Sequence, residues 1–530
     1  MKYIPKIKSG QSLTDYADQL AGQFLDNSDP KKRKEEGQYF TPPELGLFMV
    51  RELFDGNSKS IIRILDPAAG IGIFLCSVCE IIRVNAIIKE IYFDLYEKDY
   101  ELLPYLRKIA SSCKETLKKL GITIKYKIFH KDFIQDFIAK SNLKSSLKFY
   151  DFVIANPPYY KLKKDSFSTT NKLISFTGTP NIYVLFMAIA AYLLEHGGRF
   201  VFLTPRSYCS GFHFKKFRNW FFNSISLEMI HSFISREEIF KREGVLQELL
   251  ITIGSRSAAK EQYVKISTSF GLPDIAVIPR KVEINKVIIN HNNDYIINVP
   301  ESKNDEEILS IFQSFNNRFY SNGYLISTGP VVPFRTNDLS YKINESNLSF
   351  PLLWMENLKN GRILWPLNNN KKPDAILYTQ NSKKILIENS NYVFIKRFSS
   401  KEEKRRIIAS LHIKEDLPYK YLGIENHVNF IYMKGRPLAV NEARGITYFL
   451  NSMLYNRYFH LSNGNTQINA SEIHNSLFPI NKKIQLIGQE VSDQLSDYEK
   501  EVKILAILGL QSHIIEQYFF DSGNQNEEVG

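Results

Sequence analysis

At 530 residues with 44% hydrophobic side chains, the chain is too long for one typical domain and can fill about two or three full-sized cores. Its formal charge of +12 suits a polyanionic partner, although charge alone does not separate nucleic acid from an anionic membrane. Four cysteines exclude a disulfide framework, and the longest apolar segment, Val184 to Leu194, falls far short of the ~20 residues that span a bilayer.

Residues 1–36 are predicted to form an N-terminal helical segment, with Tyr16, Leu20 and Phe24 at helical spacing. It ends in the basic run Lys31-Lys32-Arg33-Lys34, read as a solvated helix end. In Gly37-Gln38-Tyr39-Phe40-Thr41-Pro42-Pro43-Glu44, Thr41 is the expected N-cap, Pro42 the first helical residue and Glu44 the third, completing a capping box. The helix then carries Leu47, Met49, Val50 and Leu53. Its free N–H groups can hold a carboxylate.

Ile61 to Leu65 reads as a buried strand. It leads through Asp66-Pro67-Ala68-Ala69-Gly70-Ile71-Gly72 into a helix from Phe74 to Ile82, the first unit of a nucleotide-binding α/β fold. Gly70 and Gly72 allow backbone to approach a ligand closely. Cys76 and Cys79 have C-x-x-C spacing but no second ligand pair, so they are expected to be buried side chains, and no metal is expected. A second strand, Glu90 to Tyr96, ends at Glu97, whose two oxygens suit ribose hydroxyls; Asp99 is the second choice. A third, Lys125 to Phe129, is followed by Asp132, able to accept from an adenine amino group, and Phe133, able to stack on a purine.

The fourth strand, Phe152 to Ala155, ends in Asn156-Pro157-Pro158-Tyr159. Two prolines remove two donors and fix φ, so this is a stiff extended exit from a buried strand. Asn156 offers a side-chain carbonyl, Pro157 a backbone carbonyl with no N–H of its own, and Tyr159 an aromatic face. Two acceptors beside a π-surface suit a planar ring with an exocyclic amino group, whose lone pair they localise by holding both of its hydrogens. An apolar helix is predicted from Asn181 to Leu194, capped at Gly197-Gly198, then a strand from Arg199 to Leu203. Strands are also predicted at Leu227 to Phe233 and Leu246 to Ile253, with Phe240 in the loop between them.

A composition break at 254–260 marks an expected boundary. Beyond it, Lys396, Arg397, Ser399 and Lys401 lie in a basic, turn-rich run suited to phosphates, and Asn465 and Gln467 lie in a polar loop able to read adenine edges. Pro373-Asp374 with Glu388 loosely suggests a nuclease site, but Asn389-Ser390 stands where its lysine belongs, so the match is read as chance.

Asn156-Pro157-Pro158-Tyr159 resembles the catalytic motif of S-adenosylmethionine-dependent amino-methyltransferases. The full order of Thr-Pro-Pro, Asp-Pro-x-x-Gly-x-Gly, Glu97, Asp132-Phe133, Asn-Pro-Pro-Tyr and a large basic C-terminal half is similar to the gamma group of N6-adenine DNA methyltransferases, the Eco57I-type, TaqI-like methylases of restriction-modification systems. The resemblance implies an α/β fold: a Rossmann-like S-adenosylmethionine-dependent methyltransferase domain over 37–256 and a mixed α+β target-recognition domain over 261–525. It implies S-adenosylmethionine as cofactor, contacted by Thr41, Pro42, Asp66, Pro67, Ala68, Gly70, Gly72, Glu97, Asp132, Phe133 and Asn156. Asn156, Pro157 and Tyr159 become the catalytic residues, with Tyr159 and Phe240 stacking on the two faces of an extruded adenine. Double-stranded DNA is the implied partner, with a cognate restriction endonuclease alongside. The expected protein is a monomer, cytoplasmic, with no signal peptide and no membrane association, and reaches the nucleoid through DNA.

Two other readings stand beside this one. A modification or specificity subunit needing a partner chain is disfavoured by the intact Asn156-to-Tyr159 motif. Amino-group methylation of RNA or protein uses the same chemistry, but its protein-glutamine enzymes lack the Thr-Pro-Pro element and the basic C-terminal half. Asn156, where N4-cytosine enzymes usually carry Ser or Asp, favours adenine.

Overall fold

Short runs of branched and aromatic residues, each stopped by a turn, make the strands of the N-terminal half. The computed structural model describes residues 4–84, 87–141, 147–162, 181–235, 238–243, 248–257, 261–291, 294–340, 348–359, 361–368, 371–399, 405–463 and 467–520. They fall into two compact units, Met1–Glu301 and Ser302–Gly530.

The first unit is built on one nine-stranded sheet. Its strands are β1 (Ile61–Asp66), β2 (Glu90–Tyr96), β3 (Thr123–Phe129), β4 (Tyr150–Ala155), β5 (Leu194–Pro205), β6 (Ser226–Phe233), β7 (Leu249–Ser255), β8 (Tyr263–Ser269) and β9 (Arg280–Glu283). Their order is β3-β2-β1-β4-β5-β7-β6-β8-β9. From β3 to β5 all pairs are parallel, and β7 runs antiparallel to both β5 and β6. The chain reverses its winding between β1 and β4, and in open α/β sheets the crevice at such a point, outside the carboxyl ends of the strands, binds ligands.

The helices are α1 (Leu13–Asp26), α2 (Pro30–Glu36), α3 (Pro43–Phe54), α4 (Ile73–Ile82), α5 (Leu103–Lys119), α6 (Phe133–Ser141), α7 (Ile182–Tyr192) and α8 (Lys215–Ser224). Two apolar layers cover the sheet. One joins α1, α3, α4 and α5 to one face; the other joins α6, α7 and α8 to the opposite face. Buried Tyr16, Leu20 and Phe24 on α1 belong to the first layer, so the described part of the N-terminal segment belongs to this unit. The unit also runs past the expected limit at 256. The break at 254–260 falls inside the sheet, because β8 pairs parallel with β6 and β9 pairs with β8. The polar run stands in sequence between the end of β7 at Ser255 and the start of β8 at Tyr263, so it is not a change of domain.

Two further local differences have clear causes. The helix expected to run to Leu194 ends at Tyr192, and residues 194–198, including Gly197-Gly198, already belong to β5. Tyr150 pairs with Leu194 on β5, so sheet pairing overrides the glycine cap. Helix α3 starts at Pro43 with Pro42 as its N-cap and no side-chain cap bond; the Thr41 hydroxyl is engaged elsewhere.

The second unit is mixed α+β. A four-stranded sheet joins 324–328, 428–433, 392–396 and 409–412, and a five-stranded sheet joins 339–340, 375–377, 349–353, 421–424 and 386–388. Helices at 303–314, 440–451, 453–462, 481–490 and 497–508 supply most of its largest core. Among the described residues, no helix is long and apolar enough to cross a membrane.

Candidate active site at the strand ends

Four strands of the parallel half deliver a polar residue at or just past their carboxyl ends: Asp66 from β1, Glu97 from β2, Asp132 from β3 and Asn156 from β4. A solvent-open cleft of about 710 Å³ is lined by Pro67, Ala68, Gly70, Glu97, Asp132 and Phe133, with Asn156 at its end. A second solvent-open recess of about 400 Å³ shares Ala68, Gly70 and Asn156 and adds Thr41. Its far wall is Ala17, Asp18 and Ala21 of α1. That wall carries no sequence signal beyond helical spacing.

Asp66 lies fully buried beneath the loop that follows β1. Its Oδ1 accepts the Ala68 N–H at 3.1 Å, and its Oδ2 has no hydrogen-bond partner among the described residues. Burial pushes its carboxyl up to about 8, against the pull of that N–H, and the neighbouring Glu97 adds to the rise. Glu97 spans two turns: Oε2 accepts from the Gly70 N–H at 2.8 Å and Oε1 from the Asp99 N–H at 2.7 Å. Burial raises it to about 7 in spite of these bonds. Glu97 lines the cleft and Asp66 lies buried beneath the loop in its wall, outside the lining itself, so both are costly carboxylates that a cation or a set of hydroxyl donors would stabilise.

Gly70 and Gly72 differ in purpose. Gly70 holds a φ of +54° within the cleft wall. At Gly72 (φ +102°) a Cβ would meet Leu106 Cδ1 at 2.9 Å, so this glycine serves helix packing rather than ligand approach. Asp132 Oδ1 caps α6 through the Gln135 N–H at 3.0 Å and also lines the cleft. Phe133 is buried edge-on to Tyr96 at 5.2 Å, with its ring in the cleft wall.

The geometry around Asn156 fixes its amide orientation. Nδ2 donates to the Tyr39 carbonyl at 3.2 Å and to Thr41 Oγ1 at 3.0 Å. A carbonyl only accepts, so the NH₂ must face Tyr39 and Oδ1 must face the other way. There the Tyr159 hydroxyl reaches two acceptors, Asn156 Oδ1 and the Leu203 carbonyl at 2.9 Å, and it can donate to one at a time. Burial raises Tyr159 well above the usual phenol range, so it stays a hydroxyl. Pro157 is buried and Pro158 lines the cleft.

The segment 37–41 is pressed against this loop. Gly37 ends α2 at φ +61°, and a Cβ there would stand 2.6 Å from the Tyr159 nitrogen. Thr41 thus reaches the site as a partner of Asn156, not as a helix cap. Phe240 does not present an open face: it is 2% exposed, and its ring lies 5.5 Å from that of Tyr39. Tyr39 in turn lies 5.8 Å from Tyr159. Arg242, two residues beyond Phe240, pairs with Asp18 of α1 at 2.8 Å and ties this loop to the N-terminal helix.

In the second unit, two of the predicted DNA-contact stretches meet. Phe398 and Gln467 form an antiparallel bridge, and the Ile468 N–H donates to the Arg397 carbonyl at 2.8 Å. The Arg397 guanidinium donates to the Asn426 carbonyl at 2.6 Å. Lys396 ends the strand 392–396, and Ser399 follows the bridge. Lys401 and Asn465 lie outside the described residues. The suspected nuclease pair is structural at Asp374, whose two oxygens cap the Leu367 and Asn368 N–H groups at 2.9 and 3.1 Å. All four cysteines are buried and free, and Cys76 Sγ lies 3.9 Å from Cys113 Sγ.

The sequence profile of the Eco57I restriction-modification methylases matches residues 78–240. The chain is 30% identical over 457 residues to the type II methyltransferase M.PstI of Providencia stuartii, covering 84% of this chain and 89% of that protein. It is 31% identical over 478 residues to the type II methyltransferase M.BsuBI of Bacillus subtilis, covering 88% and 92%. Among solved structures, the type IIG restriction endonuclease BpuSI superposes with a TM-score of 0.44 at 14% identity, covering 96% of this chain and 68% of that one.

Proposed function

Because the chain belongs to the type II methyltransferases of restriction-modification systems, we propose that it methylates N6 of an adenine rotated out of duplex DNA. The observation that carries this reading is the fixed amide of Asn156. With Nδ2 tied to Tyr39 and Thr41, Oδ1 is held as an acceptor at the carboxyl end of β4, beside the cleft.

S-adenosylmethionine, when bound, supplies an electrophilic methyl on a sulfonium. The cleft fits it on three counts. The unpartnered buried Oδ2 of Asp66 suits the methionyl ammonium, either directly or through the loop backbone. Glu97 suits the ribose hydroxyls, and Asp132 with Phe133 suits the adenine end. Thr41, Pro67, Ala68, Gly70 and Asn156 line the remainder, whereas Pro42, the N-cap of α3, is not in the lining. Gly72 contributes through the packing of α4 on α5.

The chain's own residues then act by position. Tyr159 can move its hydrogen bond wholly to the Leu203 carbonyl, which frees Asn156 Oδ1 for the amino group of the target base. Oδ1 and the Pro157 carbonyl together hold both amino hydrogens, so that the nitrogen lone pair points away from the ring. That is stabilisation by dipoles set before the reaction begins. Extruding a base costs a few kcal/mol, and stacking on an aromatic such as Tyr159 returns about 1–3 kcal/mol per base.

Residues 302–520 are proposed to recognise the target sequence, with Lys396, Arg397, Ser399 and Gln467 in the contact and Lys401 and Asn465 in the adjoining stretches. The partner is duplex DNA, and a cognate endonuclease would cut the same unmodified sequence. The test is incubation with methyl-labelled S-adenosylmethionine and equal masses of duplex DNA, RNA and protein. Label in duplex DNA is expected; label in RNA or protein alone overturns the assignment.

A further inference from the structure

The ring of Tyr39 lies between the two aromatics assigned to the target base. Its centroid is 5.8 Å from Tyr159 and 5.5 Å from Phe240, and its plane is tilted by 33° to each. Tyr183 also meets Tyr159, edge-on at 6.3 Å. Phe240 is walled off from solvent, while Tyr39 is partly buried and lines both the cleft and the recess beside it. A purine cannot enter between Tyr159 and Phe240 while the Tyr39 ring is there.

Resting on the reading above, we propose that Tyr39 is a placeholder for the target purine: its ring fills the stacking slot in the free protein and swings out when the base enters. The backbone around it is built to stay in place during that exchange. The Tyr39 carbonyl holds Asn156 Nδ2, Gly37 is seated against the Tyr159 backbone, and Thr41 holds the same Asn156 amide. Rotation about χ1 of Tyr39 moves the ring and leaves all three contacts intact. The exchange is then matched in kind. The free protein keeps an aromatic against Tyr159 and a hydroxyl on Asn156 Oδ1; the bound state replaces them with a purine face and an amino group. The site thus avoids both an apolar void and an unpaired acceptor before substrate arrives.

Such a ring also sets specificity. Any planar base must displace Tyr39, but only one with an amino group beside Asn156 and Pro157 recovers the hydrogen bonds as well. The cost falls equally on all bases and the return on few, which is discrimination by difference.

The experiment uses the full chain with a duplex carrying 2-aminopurine at the adenine that the wild-type protein methylates, read by fluorescence and by binding titration. The proposal expects Tyr39→Ala to raise emission at saturation and to tighten binding about fivefold or more, because no ring has to be displaced. Tyr39→Phe should behave as wild type. Phe240→Leu, which keeps an apolar side chain in the core, should lower emission. Lower emission and weaker binding in Tyr39→Ala would overturn the proposal and make Tyr39 itself the second face of the stack. No change in emission or binding would overturn it too. Absence of emission from the wild type on this duplex, while the same protein methylates the adenine duplex, would overturn the extruded-base reading and the proposal with it. Thermal melting of each variant reports whether the fold is kept.

Discussion

The side-chain amide of Asn156 donates to the hydroxyl of Thr41 at 3.0 Å, across 115 residues of sequence. This contact couples the segment before the first strand to the loop after the fourth, and it supports the amide orientation that the Tyr39 carbonyl fixes. Thr41→Val should therefore lower kcat more than it raises KM for S-adenosylmethionine. A buried hydrogen bond contributes about 1 kcal/mol, so the expected loss is roughly fivefold, larger if the amide turns over. Thr41→Ser should restore it. Steady-state kinetics of the three proteins check this.

Tyr159 offers a separable pair of contributions. Tyr159→Phe keeps the ring, leaves the Asn156 Oδ1 open to the substrate amino group and removes only the choice between two acceptors. It should retain kcat within about fivefold. Tyr159→Ala removes the stacking face, worth about 1–3 kcal/mol, and should lose up to about a hundredfold in kcat/KM. Equal losses in both variants would show that the hydroxyl, not the ring, carries the effect.

The cleft carboxylates predict a pH dependence. Asp66 is raised to about 8 and Glu97 to about 7, chiefly by burial. Each folded-state value lies above the ordinary carboxylate range. Their contribution to stability is thus fully present in acid below that range and is lost as pH rises through about 7 to 8. A ligand bearing an ammonium beside Asp66 favours the ionised form and should expel a proton on binding. Affinity for S-adenosylhomocysteine is expected to rise with pH up to about 8 and then level off. Calorimetry in buffers of different ionisation heat reads the released proton directly, and Asp66→Asn should abolish it.

Gly37 combines a φ of +61° with the close approach of the Tyr159 nitrogen, 2.6 Å from where a Cβ would stand, so no side chain fits there. Left-handed backbone alone costs a non-glycine residue about 1–2 kcal/mol. Gly37→Ala should displace the Asn156-to-Tyr159 loop and cut kcat at least tenfold with little change in DNA affinity. A shift in Tm without loss of kcat would show that the loop tolerates the push.

Salt separates positioning from reading. Lys396→Ala should weaken DNA binding on all sequences and reduce the slope of log affinity against log salt by about 1. Gln467→Ala should change sequence preference and leave the slope unaltered. Filter binding across a salt series checks both.

The strands that carry the site were legible because each is a short apolar run stopped by a turn, and the polar residue after each stop is what the fold places at the sheet's carboxyl edge. Glu97 and Asn156 are read directly from that rule. The partner of the Thr41 hydroxyl was not, because it lies 115 residues away and a helix cap satisfies the same local pattern. Phe240 reads by position as either a base-facing or a core-packed loop aromatic, and it is buried in the first apolar layer, with Tyr39, on a segment about two hundred positions earlier, against its ring. The domain limit moved from 256 to 301 for a similar reason: edge strands such as β9 have one covered residue in four and show no hydrophobic alternation to signal that the sheet continues.

The central claim, an amino-directed transfer controlled by Asn156, is tested most directly by nucleoside analysis of duplex DNA methylated from labelled S-adenosylmethionine, with Asn156→Ala beside the wild type. The prediction is label in N6-methyladenine alone, lost at least a hundredfold in the variant while cofactor and DNA binding persist. Label in N4-methylcytosine, or undiminished transfer by Asn156→Ala, would contradict it.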